Sequence, residues 1–139
     1  MAIPLKQTIV HGDCFTFPVR SPKAFGPSMW FTLHNGAANY PNTPTIEQME
    51  LMKGFIRGLP LMIPCVMCKI HFQSIVNNTD LDTVVKSKEL LFLFFFQAHN
   101  IVNKKLNKPL ITLAQAKKMY AFHGETGSIM IQITKTKEC

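Results

Sequence analysis

Through the middle of the chain apolar residues recur every three or four positions, the period of an α-helix that buries one face. Trp30, Leu33, Ala37 and Tyr40 make the first such stripe, with Pro27 just inside its start and Pro41 stopping it. Thr45-Ile-Glu-Gln48 has the form of a capping box. It opens a second helix with Met49, Met52, Ile56 and Leu59 on one side and Pro60 at its end. Pro64 precedes a third, shorter helix in which Cys68, Phe72, Ile75 and Val76 share a side and Asn77-Asn78 closes the element. Ser87 is the predicted N-cap of a fourth helix. Its stripe of Leu91, Phe94, Phe95, Ala98, Val102 and Leu106 runs to Asn107, with Pro109 beyond. Thr112-Leu-Ala-Gln115 repeats the capping pattern for a short fifth helix that ends near Phe122.

The expected fold is therefore all-α: a four-helix bundle plus a short fifth helix, with Pro and Asn turns short enough to make neighbours antiparallel. Residues 1–25 carry Pro4, Pro18 and Pro22 without a sustained period and read as an irregular N-terminal arm. Residues 26–123 form the helical domain and 124–139 a C-terminal tail. Alternation of Ile129, Ile131 and Ile133 in that tail is compatible with a short edge strand or a mobile arm.

Composition supports this reading and narrows it. At 139 residues and 47% apolar, the chain is long enough for one domain with a core that needs no staples, and wholesale disorder is excluded. Met1 to Val10 has neither the long apolar core nor the cleavage site of a signal peptide. The apolar run Leu90 to Phe96 falls far short of the ~20 residues a bilayer requires, so it reads as a buried helix face and no membrane insertion is expected. The net charge of +7 suggests an anionic partner. The lysines are scattered in pairs without interleaved aromatics, which argues against nucleic acid.

Four cysteines are too few for a disulfide-dense secreted scaffold. Cys65 and Cys68 form a C-x-x-C pair directly after Pro64, where the third helix begins. Unsatisfied backbone N–H groups and the positive end of the helix dipole favour thiolate there, and Lys69 and His71 are expected to add positive potential. Two cysteines so spaced can close a small disulfide, the arrangement of dithiol exchange enzymes. Metal binding competes, because His11 and Cys14 with Cys65 and Cys68 supply one His and three Cys, a legitimate zinc set for a helical binding module. A third reading is a basic helical nucleic-acid binder in which the C-x-x-C is structural. The flanking helices sharpen the choice. Trp30, His34 and Ala38 fall at i, i+4 and i+8 on one face, and His99 and Asn103 repeat that spacing on the fourth helix. An indole, imidazoles, an amide and a small residue make a suitable lining for a large planar heterocycle.

Three motifs in this order resemble the Erv/ALR family of FAD-linked sulfhydryl oxidases. They are Gly26-Pro-Ser-Met-Trp30-Phe-Thr-Leu-His34 followed by Ala37 and Tyr40-Pro41, Cys65-Val-Met-Cys68 with His71-Phe72, and His99-Asn-Ile-Val-Asn103-Lys-Lys105-Leu106 closing with Lys108-Pro109. The resemblance implies a helical bundle holding FAD non-covalently beside Cys68, with Cys65 as the sulfur that meets substrate. It implies cofactor contacts from Gly26, Trp30, His34 and His71, and places His99, Asn103 and Lys105 at the adenine, ribose and phosphate end. It further implies thiol-containing protein substrates, molecular oxygen as acceptor with hydrogen peroxide as product, and a homodimer. The chain departs from the cellular pattern. It has no second structural disulfide, no separate shuttle C-x-x-C, no Cys directly following Lys108-Pro109, and Phe94 or Phe95 where members often carry Trp. This cysteine set is more similar to that of the short viral members, which implies a host-cytoplasm or virion setting. It leaves Cys14 and Cys139 unassigned, with incidental free thiols, a bridge between subunits and a makeshift electron relay all open.

Overall fold

The computed structural model describes residues 18–122. The expected C-terminal tail, most of the expected N-terminal arm, His11, Cys14 and Cys139 lie outside those residues. In order the helices are α1 Pro22–Ala38, α2 Ile46–Gly58, a 3₁₀ turn Leu59–Met62, α3 Val66–Asn77, α4 Leu81–Val84, α5 Lys88–Lys105 and α6 Leu113–Met119. The all-α expectation holds: α1, α2, α3 and α5 are the four main helices and α6 is the short one after them.

Two boundaries differ from the pattern reading. The first helix begins at Pro22 rather than Pro27, so residues 22–25 of the expected irregular arm are helical. The reason is a local start signal: the Ser21 hydroxyl accepts the Lys23 N–H, and Pro22 takes the first helical position, where its missing N–H costs nothing. Pro27 is then an internal proline, tolerated near the helix start. The one-turn helix α4 was not anticipated, because four residues are too few to show a period. Asp80 caps it by accepting from the N–H groups of Asp82 and Thr83.

The other starts follow the expected caps. Thr45 and Thr112 each form a complete capping box with Gln48 and Gln115, and Ser87 Oγ accepts the Leu90 N–H at 3.2 Å. α5 ends in a Schellman motif. Lys108 N–H donates to Asn103 C=O at 2.8 Å and Asn107 N–H to Lys104 C=O at 3.2 Å, with Asn107 at φ 55°. α6 closes the same way, Phe122 N–H donating to Lys117 C=O and Ala121 N–H to Lys118 C=O, with Ala121 at φ 46°.

The central element is α5. It packs most extensively on α1 and also carries α4 and α6. Leu91, Phe92, Phe94, Phe95 and Ala98 are therefore all buried although they lie on more than one side of the helix, which explains the dense apolar run. No helix among the described residues is long and apolar enough to cross a membrane. Trp30, Leu33, Ile56, Phe72 and Val76 complete the core from the other main helices. The end of α1 is tied to the segment after α4 by Tyr40 Oη, which donates to Val85 C=O at 2.9 Å within the interior.

Candidate cofactor and redox site

Cys65 is the N-cap of α3 and Cys68 lies in its first turn. The two are joined in a disulfide with Cα atoms 5.2 Å apart, and Cys65 Sγ accepts the Cys68 N–H at 3.3 Å. The helix start thus supplies a hydrogen bond and the positive dipole end to this sulfur, both of which stabilise a thiolate when the bridge opens.

The disulfide borders a cavity of about 1050 Å³, as large as the larger cofactor pockets of proteins (roughly 300–1,000 Å³). Cys68 is in its wall; Cys65 is not. Three helices and the residue after a fourth build that wall: Gly26 and Trp30 from α1, Cys68, His71 and Phe72 from α3, His99, Asn103 and Lys105 from α5, and Tyr120 just after α6. Residues as far apart in sequence as Gly26 and Tyr120 are so brought around one space, and nearly every residue of the three motifs with a proposed role is on it. Besides Cys65, His34 is the exception. It is fully buried and does not reach the cavity wall. Its Nε2 lies 2.9 Å from Nδ1 of His99, and Tyr120 stacks on its ring with centroids 4.6 Å apart. His99 in turn stacks on Trp30 with centroids 4.2 Å apart and planes within 6°.

Burial decides the charge of these groups. Loss of solvent, and then the neighbouring His99, lower the pKa of His34 to about 4; loss of solvent, and then Lys108, lower that of His99 to about 4. His71 is also lowered, first by burial and then by the Lys105 charge. At neutral pH it is an uncharged imidazole and does not add the positive potential expected of it beside the cysteines. Positive charge is instead brought to the cavity wall by Lys105 and Lys108. The Schellman turn after α5 is what places Lys108 there.

Tyr120 and Lys108 were not singled out from sequence as site residues. No local period points to Tyr120. It arrives because Asn100 on α5 clamps the incoming segment, its Nδ2 donating to Ile111 C=O at 2.8 Å and its Oδ1 accepting the Ile111 N–H at 3.2 Å. α6 begins right after that clamp.

The zinc alternative is not favoured. A disulfide offers no thiolate ligand, and among the described residues no group of three or more His, Cys, Asp or Glu could hold a metal ion.

Residues 27–121, which contain all three motifs apart from Gly26, match the Erv1 / Alr family. The chain belongs to the Erv1/Alr family. Its relatives include protein 096R of Invertebrate iridescent virus 3, named as an FAD-linked sulfhydryl oxidase. The two are 39% identical over 109 residues, covering 77% of this chain and 74% of the relative. The FAD-linked sulfhydryl oxidase of African swine fever virus is 34% identical over 100 residues, covering 69% of this chain and 79% of the relative. Among solved structures, the yeast Erv1 core superposes with a TM-score of 0.69 at 28% identity, over 86% of this chain and 100% of that one. The Erv1/Alr chain is thus an enzyme of the thiol oxidase class, and the helical core seen here is the family's.

Proposed function

We propose that Cys65–Cys68 is the redox centre of an FAD-dependent sulfhydryl oxidase that makes disulfides in partner proteins, with FAD in the cavity beside Cys68. The observation that carries this reading is the division between the two sulfurs: both belong to one disulfide, but only Cys68 lines the cavity.

The residues suit the cofactor. A Cβ added at Gly26 would meet no atom within 4 Å, so the glycine on this wall leaves space instead of permitting a close contact within the chain. Trp30 and His99 offer flat aromatic surface, Asn103 an amide at 8% exposure, and Lys105 and Lys108 charges suited to a pyrophosphate. FAD, when bound, supplies a two-electron acceptor that molecular oxygen reoxidises with release of hydrogen peroxide.

The chain's own part is thiol–disulfide exchange. A substrate thiolate attacks Cys65 Sγ; the Cys65–Cys68 bond breaks, a substrate–Cys65 disulfide forms, and Cys68 leaves as thiolate on the cavity side. A second substrate thiolate attacks the substrate sulfur of that mixed disulfide and displaces Cys65. The substrate has lost two electrons and gained a disulfide, and the C-x-x-C pair holds those electrons as a dithiol. The Cys68 N–H and the start of α3 stabilise the sulfur displaced at Cys65. Trp30, His71 and Phe72 keep the cavity side apolar and uncharged around Cys68.

The homodimer belongs to the same reading, supported by Leu51 and Phe55, which are exposed one turn apart on α2. The viral relatives and the sparse cysteine set support a host-cytoplasm or virion setting. Purified protein is expected to be yellow, with about one FAD per chain, and to consume oxygen and release peroxide with dithiothreitol. Cys65→Ser and Cys68→Ser should each abolish turnover and keep the flavin. A colourless protein, or normal turnover in either variant, would overturn the assignment.

A further inference from the structure

His34 is the one buried side chain among the described residues with a polar atom left without a partner: its Nδ1 is enclosed and bonds to nothing. Its other nitrogen, Nε2, meets Nδ1 of His99 at 2.9 Å. Two neutral imidazoles can share that bond in only two ways. If Nδ1 of His34 carried the hydrogen, a buried N–H would be orphaned while Nε2 accepted from His99. If Nε2 carries it, His34 donates to His99 and only a lone pair is left unpaired. Buried N–H groups without an acceptor are the rarer and costlier case, so the second arrangement is favoured.

We propose that His34 is a positioning residue that fixes the tautomer and ring orientation of His99, so that His99 presents Nε2–H to the cavity as a hydrogen-bond donor for the cofactor. One nitrogen of an imidazole is set by the bond the other makes. With Nδ1 of His99 accepting from His34, the proton of neutral His99 sits on Nε2, which is not enclosed, and the His99 ring lines the cavity. Trp30 stacked on one face of His99 and Tyr120 stacked on His34 hold both rings against rotation. The low proton affinity of both groups agrees with this, because neither ring is charged at neutral pH. His34 therefore acts on the ligand through His99 rather than by touching it.

This inference rests on the cavity being the FAD site, and the two can be separated by experiment. Ring-nitrogen NMR of ¹⁵N-histidine-labelled protein, before and after FAD addition, reads the tautomer without reference to activity. His99 is expected as the Nε2–H tautomer with Nδ1 as acceptor in both states, and His34 as Nε2–H. His34→Phe keeps a stacking ring but donates nothing; it should mix the His99 tautomers and weaken FAD binding about tenfold, the loss of one well-placed hydrogen bond. His34→Gln puts an amide donor near the Nε2 position and should restore affinity to within a few-fold. An Nδ1–H tautomer at His99 in the unmodified protein would overturn the proposal. So would His34→Phe binding FAD as tightly as the unmodified protein, or His34→Gln being as weak as His34→Phe with the His99 tautomer unmoved. Failure of the unmodified protein to bind FAD would instead count against the cofactor site.

Discussion

Acidification from pH 7 to pH 5 should weaken this fold through His34 well before its carboxylates matter. The imidazole is fully buried and its pKa is lowered to about 4 from an ordinary 6.5, by loss of solvent first and His99 second. Above pH 6.5 His34 is neutral in both folded and unfolded chains, and its contribution to stability is intact. As the pH falls below 6.5 the unfolded chain takes up a proton that the folded chain refuses until about pH 4, so stability is lost across that window. At roughly 1.4 kcal/mol per pH unit, the loss at pH 5 is about 2 kcal/mol. For a domain of about 100 residues that lowers Tm by about 8 °C. His99 and His71, both lowered by burial, act in the same direction and make the total fall larger. The pair is faced by Trp30, Phe92 and Tyr120 and by the charge of Lys108, and no carboxylate among the described residues offsets either shift. The assay is thermal unfolding by circular dichroism at pH 7, 6 and 5, with FAD in fixed excess, comparing the unmodified protein with His34→Phe. The variant should lose about 2 kcal/mol less over the range, since it lacks the group that titrates only when unfolded. An NMR titration of His34 supplies the check that does not depend on the variant folding, with no protonation expected above about pH 5. A Tm independent of pH, equal slopes in the two proteins, or protonation of His34 near its ordinary value would refute the reasoning.

Two further outcomes follow from the geometry. Ala121 holds a left-handed conformation at the end of α6, φ 46°, so Ala121→Gly should stabilise the protein by about 1 kcal/mol, read as an upward shift in Tm; no change or a decrease would mean that this turn is not strained. Trp30→Leu removes the face that stacks on His99 at 4.2 Å and should weaken FAD retention about tenfold, measured by flavin absorbance after gel filtration; undiminished flavin content would remove Trp30 from the site.

The helices and their caps were legible in the chain because each depends on neighbours within a turn or two. A capping box needs only Thr45 and Gln48, or Thr112 and Gln115, and the apolar stripes of α1, α3 and α5 fall on the faces turned to the core, apart from Leu106, which is exposed at the end of α5. The C-x-x-C pair was legible for the same reason. Its disulfide spans a single helical turn, and placement at a helix start follows from Pro64. Where the sequence misled, two local signals competed. Ser21-Pro22 and Pro27 both look like a helix entrance, and the side-chain cap at Ser21 settles which one is used.

The division of roles within the site was decided by tertiary packing. Spacing puts Trp30 and His34 on one face of α1, but only the packing of α5 against α1 makes one of them a wall of the cavity and the other a buried partner of His99. The charge of His71 was likewise set by what covers it and by Lys105 from another helix. Tyr120 had no local signature, since its place depends on the Asn100–Ile111 clamp. The sequence by itself thus determined the helices, their ends and the redox pair, because backbone hydrogen bonds and periodicity act over a few residues. Which sulfur faces the cavity, which histidine touches it and where the charge lies were decided only in the folded chain, because burial and stacking depend on residues many turns away.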